Sequence, residues 1–227
     1  MSWTVVSFIS LAIFAVVFAA AFAGSGVLVK VLRQRQVLDH PNERSSHVAP
    51  TPRGGGIAVV GVLLTVWAGI AFFAPGIFPH PLSVPFPAMV LVLFCALGLA
   101  IISWIDDLKG LTPLTRLVLQ FAAAIICLDA LPVGPSGAVL VFQGLLPAAA
   151  DHVAAALIWI WFLNLFNFMD GIDGITGVEA ASVGGGVFVV ALFAGGAQDW
   201  ALFGLSAAGA ACGFLCWNWD PAKLFIG

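Results

Sequence analysis

The sequence predicts an all-α integral membrane protein, a polytopic bundle of about seven transmembrane helices with its N-terminus outside. Three observations carry this. First, 62% of the 227 residues are hydrophobic and 8% are charged, whereas a soluble domain is about half apolar and a quarter charged. Too little polar side chain exists to face water, so the solvent is a bilayer. Second, apolar runs long enough to span, about 20 residues each, recur along the whole chain. Third, Lys and Arg fall only in alternate connecting segments or at the span ends beside them.

The elements follow in order. Residues 3–29 contain no charge. That run is too long for a signal-peptide core and no basic residue precedes it, so a retained helix is expected. Further spans are expected at about 54–74, 88–105, 113–130, 152–169, 175–194 and 200–217. Pro113 suits the first turn of the fourth. The runs are unbroken and rich in Ala, Leu and Val, unlike the alternating segments of about ten residues that build a membrane barrel. Gly inside them permits close helix contact in lipid. Neither an internal repeat nor a second domain is evident, and residues 1–227 read as one transmembrane domain.

Orientation rests on the eight basic residues, Lys30, Arg33, Arg35, Arg44, Arg53, Lys109, Arg116 and Lys223. With seven spans all eight lie on one side. The opposite loops, about 75–87, 131–151 and 195–199, contain none. The basic side is expected to be cytoplasmic. Cys95, Cys127, Cys212 and Cys216 all fall in spans. Cys212 and Cys216 are a turn apart, but no His or second Cys pair lies near them. They read as small buried residues, with no disulfide framework.

Three polar clusters interrupt the apolar pattern, all on the basic side. The first is the loop of residues 30–56, ending in Arg53-Gly54-Gly55-Gly56. Glycines let a backbone approach an anion, and helix N-terminal amides point at one. Arg53 can add a bidentate phosphate contact. For the Gly triplet taken alone, a plain turn is the favoured reading. The second cluster is WIDDLKGLTPLTR, residues 104–116. Asp106 and Asp107 end the third span and Lys109 follows. A solvated loop with a self-paired Asp and Lys is one reading. A carboxylate pair that holds a cation or proton at a span end is the other.

The third cluster is FLNLFNFMDGIDGITGVEA, residues 162–180. Steps of three place Asn164 and Asn167 on one side of the fifth helix, a turn apart. Gly171 stops that helix, Gly174 opens the next segment, and Asp170 and Asp173 occupy the turn. An Asx/Gly turn accounts for the aspartates and glycines. It leaves Asn164 and Asn167 unexplained at membrane depth, where an unpaired amide is expensive. It also leaves Glu179 unexplained, inside the sixth span.

The segments HPNERSSHVAPTPRGGG, WIDDLKGLTPLTRLVLQ, NLFNFMDGIDGITG and NWDPAKLFIG, in that order, resemble the polyprenyl-phosphate N-acetylhexosamine-1-phosphate transferases, also called glycosyltransferase family 4. The resemblance runs from about residue 30 to Gly227. Its HVAPTPRGGG form is similar to the O-antigen and wall-polymer branch. It implies an enzyme of the bacterial plasma membrane that moves a sugar 1-phosphate from a UDP-sugar to undecaprenyl phosphate, releases UMP and uses Mg²⁺. By the same resemblance, Asp106 and Asp107 are the aspartate pair that handles the lipid phosphate, and Asn167 holds the metal. Asp170 and Asp173 surround the sugar nucleotide in the same mapping. From their own chemistry and place, Asn164 is a further candidate for the nucleotide sugar, and Arg53 and Lys109 are candidates for phosphate. The physical logic agrees, since phosphoryl transfer between anions depends on positioning and charge neutralisation.

The chain departs from the family pattern in two places. Where the family continues into a G-D-x-G-S segment, a His-rich loop and about ten or eleven spans in all, this sequence stops at Gly227. It therefore represents the N-terminal two-thirds of the family fold, and as given it is expected to insert in a membrane with little transfer of its own. Some members have Lys where this chain has His47. Two other classes remain open. A prenyltransferase would use two D-x-x-D motifs, but only Asp170 and Asp173 make one, and Gly110 occupies the position three beyond Asp107. A non-catalytic truncated relative, lipid-phosphate-binding scaffold or transporter is the second, although transporters place polar residues near the midplane rather than at span ends.

Overall fold

The computed structural model describes residues 3–41, 49–77, 84–130, 141–142, 144–193 and 198–227. Arg44, His47, the 131–140 stretch and residues 194–197 lie outside the described residues. Seven helices account for most of the chain: α1 (Trp3–Gln34), α2 (Gly56–Ile77), α3 (Phe86–Lys109), α4 (Pro113–Ala130), α5 (Ala148–Met169), α6 (Ile175–Phe193) and α7 (Gln198–Asn218). All seven are long and apolar enough to cross a membrane. The protein is a polytopic all-α membrane protein, as its hydropathy predicts. The expected spans match these helices to within a few residues at most ends.

The differences lie at the polar ends. Helix α1 continues past the apolar run to Gln34 and closes at Gln36, whose φ is 57°. The Gln36 side chain donates back to the Arg33 carbonyl at 2.9 Å. Helix α3 continues through Asp106 and Asp107 to Lys109, so the aspartate pair occupies its last turns rather than the loop beyond. Two short strands, β1 (Leu38–Asp39) and β2 (Thr51–Pro52), pair antiparallel within the basic loop.

The chain clusters into two compact units. One comprises residues 1–67 and 169–227. Its central element is α7, 61% of whose span is buried, against 28% or less for every other span. Small residues bring its partners close. A Cβ on Gly204 would meet the Gly184 carbonyl of α6 at 2.7 Å, and one on Gly184 would meet the Gly204 carbonyl at 2.6 Å. Val17 and Ala21 of α1 bury against Ala210 of α7, with Val59 and Leu63 of α2 beside them. Indole donors tie the helices: Trp217 Nε1 donates to the Phe22 carbonyl at 2.9 Å, and Trp67 Nε1 to Ser206 Oγ at 2.8 Å. In lipid, where apolar burial supplies no drive, such close packing and hydrogen bonds hold helices together.

The other unit comprises residues 68–168. Ala124 and Leu128 of α4 pack on Ala155, Ala156 and Ile160 of α5. Asp151 in the first turn of α5 is fully buried, and its two oxygens accept the Val141 and Phe142 amides, each at 2.9 Å. Much of each outer face remains apolar and exposed, including Phe72, Phe94, Trp161 and Phe193. A water-soluble fold would hide these side chains, and a bilayer accepts them.

Candidate functional site

Three of the four quoted motifs interlock in the first unit. Helix α5 ends at Met169, where Gly171 N donates to the Met169 carbonyl at 2.7 Å. Gly174, at φ 81°, turns the chain into α6. That left-handed conformation is cheap only for glycine. The Gly174 amide donates to Asn218 Oδ1 at 3.1 Å, and Asn218 Nδ2 donates to the Leu224 carbonyl at 3.0 Å. Asn218, the last residue of α7, is almost wholly buried, so both ends of its amide are spent on backbone. The segment after α7 then returns to the 170–174 turn. Ala222 N donates to Asp173 Oδ2 at 2.8 Å.

The same returning segment docks on the glycine loop. Phe225 N donates to the Pro52 carbonyl at 2.8 Å. Gly54 N and Gly55 N donate to the Phe225 carbonyl at 3.1 and 2.8 Å, and Gly56 N to that of Ile226 at 2.7 Å. These amides are therefore engaged by backbone, and the turn explanation of the Gly triplet stands. Gly55 has a packing reason as well, since a Cβ there would meet Phe214 at 2.5 Å and the Phe225 carbonyl at 3.0 Å.

Asp170 is the charged centre of this corner. It is half-buried, and the Thr176 hydroxyl donates to its Oδ1 at 2.5 Å. Burial pushes its carboxyl above the ordinary range. The Thr176 hydrogen bond and the Arg53 charge pull it back, and the Asp173 charge raises it. A carboxyl perturbed by burial and by named charges marks a functional candidate. Asp173 is half-buried and spends one oxygen on the Ala222 amide.

The second unit holds the other expected residues. Asp106 Oδ1 accepts the Leu111 amide at 2.6 Å, and Oδ2 accepts Arg116 Nη1 at 3.0 Å. Asp106 thereby clamps the α3–α4 turn, aided by Gly110 at φ 69° and by Thr112, whose hydroxyl takes the Thr115 amide at 3.2 Å. Asp107 is half-buried, and Lys109 is exposed at the end of α3. Asn164 Nδ2 donates to Gln120 Oε1 at 2.7 Å and to the Ile160 carbonyl at 2.8 Å. Asn164 is thus a polar tie between α4 and α5 beside a cavity of about 400 Å³ lined by Leu117, Trp161, Leu165 and Phe168. Asn167 is exposed on the last turn of α5.

Sequence reasoning passed over Thr176, Asn218 and the Arg116 clamp. Thr176 and Asn218 fall inside the quoted motifs, but their partners lie 6 and 44 residues away. Only the fold reveals the pairing.

Among the described residues no three His, Cys, Asp or Glu side chains gather as a metal cage. Asn167 offers one neutral oxygen. A lone amide suits a Mg²⁺ that arrives already coordinated by phosphate oxygens, since Mg²⁺ keeps waters and takes few protein ligands. It does not suit a resident ion held by the protein alone.

The fold and the corner define a multi-pass membrane protein with half-buried carboxylates at helix mouths. The family model for glycosyl transferase family 4 matches residues 89–227, more than half of the chain. The chain belongs to glycosyl transferase family 4. It is 32% identical to a decaprenyl-phosphate N-acetylglucosaminephosphotransferase of Mycolicibacterium smegmatis, over 91% of this chain and 52% of that protein. It is 29% identical to the protein of the same name from Mycobacterium leprae, over 88% of this chain and 52% of that one. It is 27% identical to a phospho-N-acetylmuramoyl-pentapeptide-transferase of Shouchella clausii, over 92% and 67%. The chain spans about half the length of the mycobacterial relatives it matches.

Proposed function

We propose that this chain is part of an enzyme that transfers an N-acetylhexosamine 1-phosphate from a UDP-sugar to undecaprenyl phosphate in the bacterial plasma membrane, for cell-wall or O-antigen polysaccharide synthesis. An oxygen of the lipid phosphate attacks the sugar-linked phosphorus. The bond from that phosphorus to the bridging oxygen breaks, and UMP leaves. Asp170, Asp173 and Arg53 meet the sugar nucleotide, with Asn164 in support. Asp107 handles the lipid phosphate, with Lys109 as a cation for it. Asp106 holds the turn that carries them. Mg²⁺ belongs to this reading as a cofactor carried on the diphosphate, with Asn167 as its protein ligand. When bound, it neutralises charge on the oxygens that react.

The observation that carries the proposal is the corner itself. Pro52–Gly56, Asp170–Thr176 and Asn218–Ile226 are separate motifs in sequence, yet they share one hydrogen-bond network around two carboxylates. A helix connection alone needs no such network. One oxygen of Asp170 accepts the Thr176 hydroxyl and one of Asp173 accepts the Ala222 amide, which orients both carboxylates while leaving lone pairs for a ligand.

The test is calorimetric binding of UDP-N-acetylglucosamine, with Mg²⁺, to the detergent-solubilised chain. Asp170→Asn and Asp173→Asn should each weaken binding by about tenfold, the scale of a charged hydrogen bond. Wild-type affinity in both variants would overturn the reading. UMP release on adding undecaprenyl phosphate would extend it from binding to transfer.

A further inference from the structure

We propose that Thr176 is a positioning residue, whose buried hydroxyl fixes the orientation and anionic form of Asp170 from the first turn of α6. This rests on the reading that Asp170 meets the sugar nucleotide. Thr hydroxyls inside helices ordinarily bond back to a carbonyl three or four residues earlier. Ser182, further along α6, does so with Val178. Thr176 instead reaches back six residues, past the start of its helix, to a side-chain carboxylate.

Both partners are placed for this. Thr176 is 6% exposed, and its β-branched side chain has few rotamers to choose from. Its neighbour Gly177 lies so close to α7 that a Cβ would meet Leu215 at 2.7 Å, so this turn of α6 is seated firmly. Gly174 is pinned to Asn218. Asp170, by contrast, lies just beyond the last residue of α5. The hydroxyl is its one side-chain donor among the described hydrogen bonds. The charged groups that act on Asp170 are Arg53, which favours the anion, and Asp173, which opposes it. Without the hydroxyl, Arg53 alone opposes burial and Asp173.

The experiment uses the full chain in detergent. Infrared difference titration reads the Asp170 carboxyl directly, assigned by subtracting Asp170→Asn. Binding of UDP-N-acetylglucosamine at neutral pH is measured on the same samples. Thr176→Val keeps the shape and removes the hydroxyl. It should move the Asp170 titration to higher pH and weaken binding about tenfold. Thr176→Ser should restore both. Thr176→Ala, which adds no atoms, repeats the test without the new methyl group. An unmoved titration in Val and Ala variants would overturn the proposal. If Asp170→Asn binds the nucleotide like wild type, the functional reading of Asp170 fails, while the infrared shift still decides the hydroxyl's role.

Discussion

At the scale of single residues, Asp170 sets function against stability. Burial is the largest influence on its carboxyl and lifts it above the ordinary range, outweighing the help of Thr176 and Arg53. The folded state therefore holds the proton more tightly than the unfolded chain does. Between the ordinary carboxylate range and the raised one, stability falls as pH rises, and above that window the ionised group costs the fold in full. Asp170→Asn should consequently melt at a higher temperature than wild type at pH 7, and lose this acid-side pH dependence, while binding the nucleotide about tenfold more weakly. A lower melting temperature would mean that attraction to Arg53 outweighs desolvation. The aspartates at the end of α3 make a contrasting pair. Asp106 holds the Leu111 amide and Arg116, so Asp106→Ala should lower stability by about 2 kcal/mol. Asp107→Asn in the full-length enzyme should remove lipid-phosphate-dependent UMP release. Retained release in Asp107→Asn would remove its chemical role, and an unshifted melting curve in Asp106→Ala would remove the clamp.

At the scale of helices, neighbouring glycines of α6 divide the packing argument. A Cβ on Gly184 would meet backbone atoms of α7, the Gly204 carbonyl at 2.6 Å and Ala208 N at 2.7 Å, whereas one on Gly185 meets nothing within 4 Å. Backbone cannot swing aside as a side chain can. Gly184→Ala should destabilise the protein by about 1–3 kcal/mol. Gly185→Ala should be neutral or stabilise by up to about 1 kcal/mol, because Ala is the better helix former. Thermal denaturation of the two variants checks this, and equal effects would refute the α6–α7 contact. The sequence announces the seven helices, because in lipid each must be a continuous apolar run that satisfies its own backbone. It does not announce which glycine of the 184–186 triplet meets a partner, since all three have the same local context. The candidate site divides in the same way. Asp170 and Asp173 stand out as charges in an apolar chain, and Gly174 as a turn. The Asn218 link, the seat of Phe225 on the glycine loop and the Arg116 clamp depend on contacts distant in sequence, which periodicity does not encode. Asn164 stood out as a costly amide at membrane depth, and the fold supplies its partner in Gln120.

At the scale of the whole molecule, the distribution of charge makes the strongest claim. Counting seven crossings along the chain puts the α1–α2 loop, the α3–α4 and α5–α6 connections and the stretch after α7 on one side, and all eight Lys and Arg lie in these segments or in the helix ends that flank them. The segments joining α2 to α3, α4 to α5 and α6 to α7 carry none, and Asp129, Asp151 and Asp199 lie at their ends. Cytoplasmic loops retain Lys and Arg because moving such charge across the membrane is opposed. The corner of Arg53, Asp170 and Asp173 would then face the cytoplasm, where a nucleotide sugar is available, and a lipid acceptor would reach the same face by diffusing in its leaflet. With the four native cysteines replaced, a single cysteine at Leu145, 85% exposed before α5, should react on intact cells with a thiol reagent that does not cross membranes. A single cysteine at Gly110, exposed in the α3–α4 turn, should react only after the membrane is permeabilised. The opposite labelling would invert the topology and strand the carboxylate corner on the side without nucleotides, and the proposed function would fall with it.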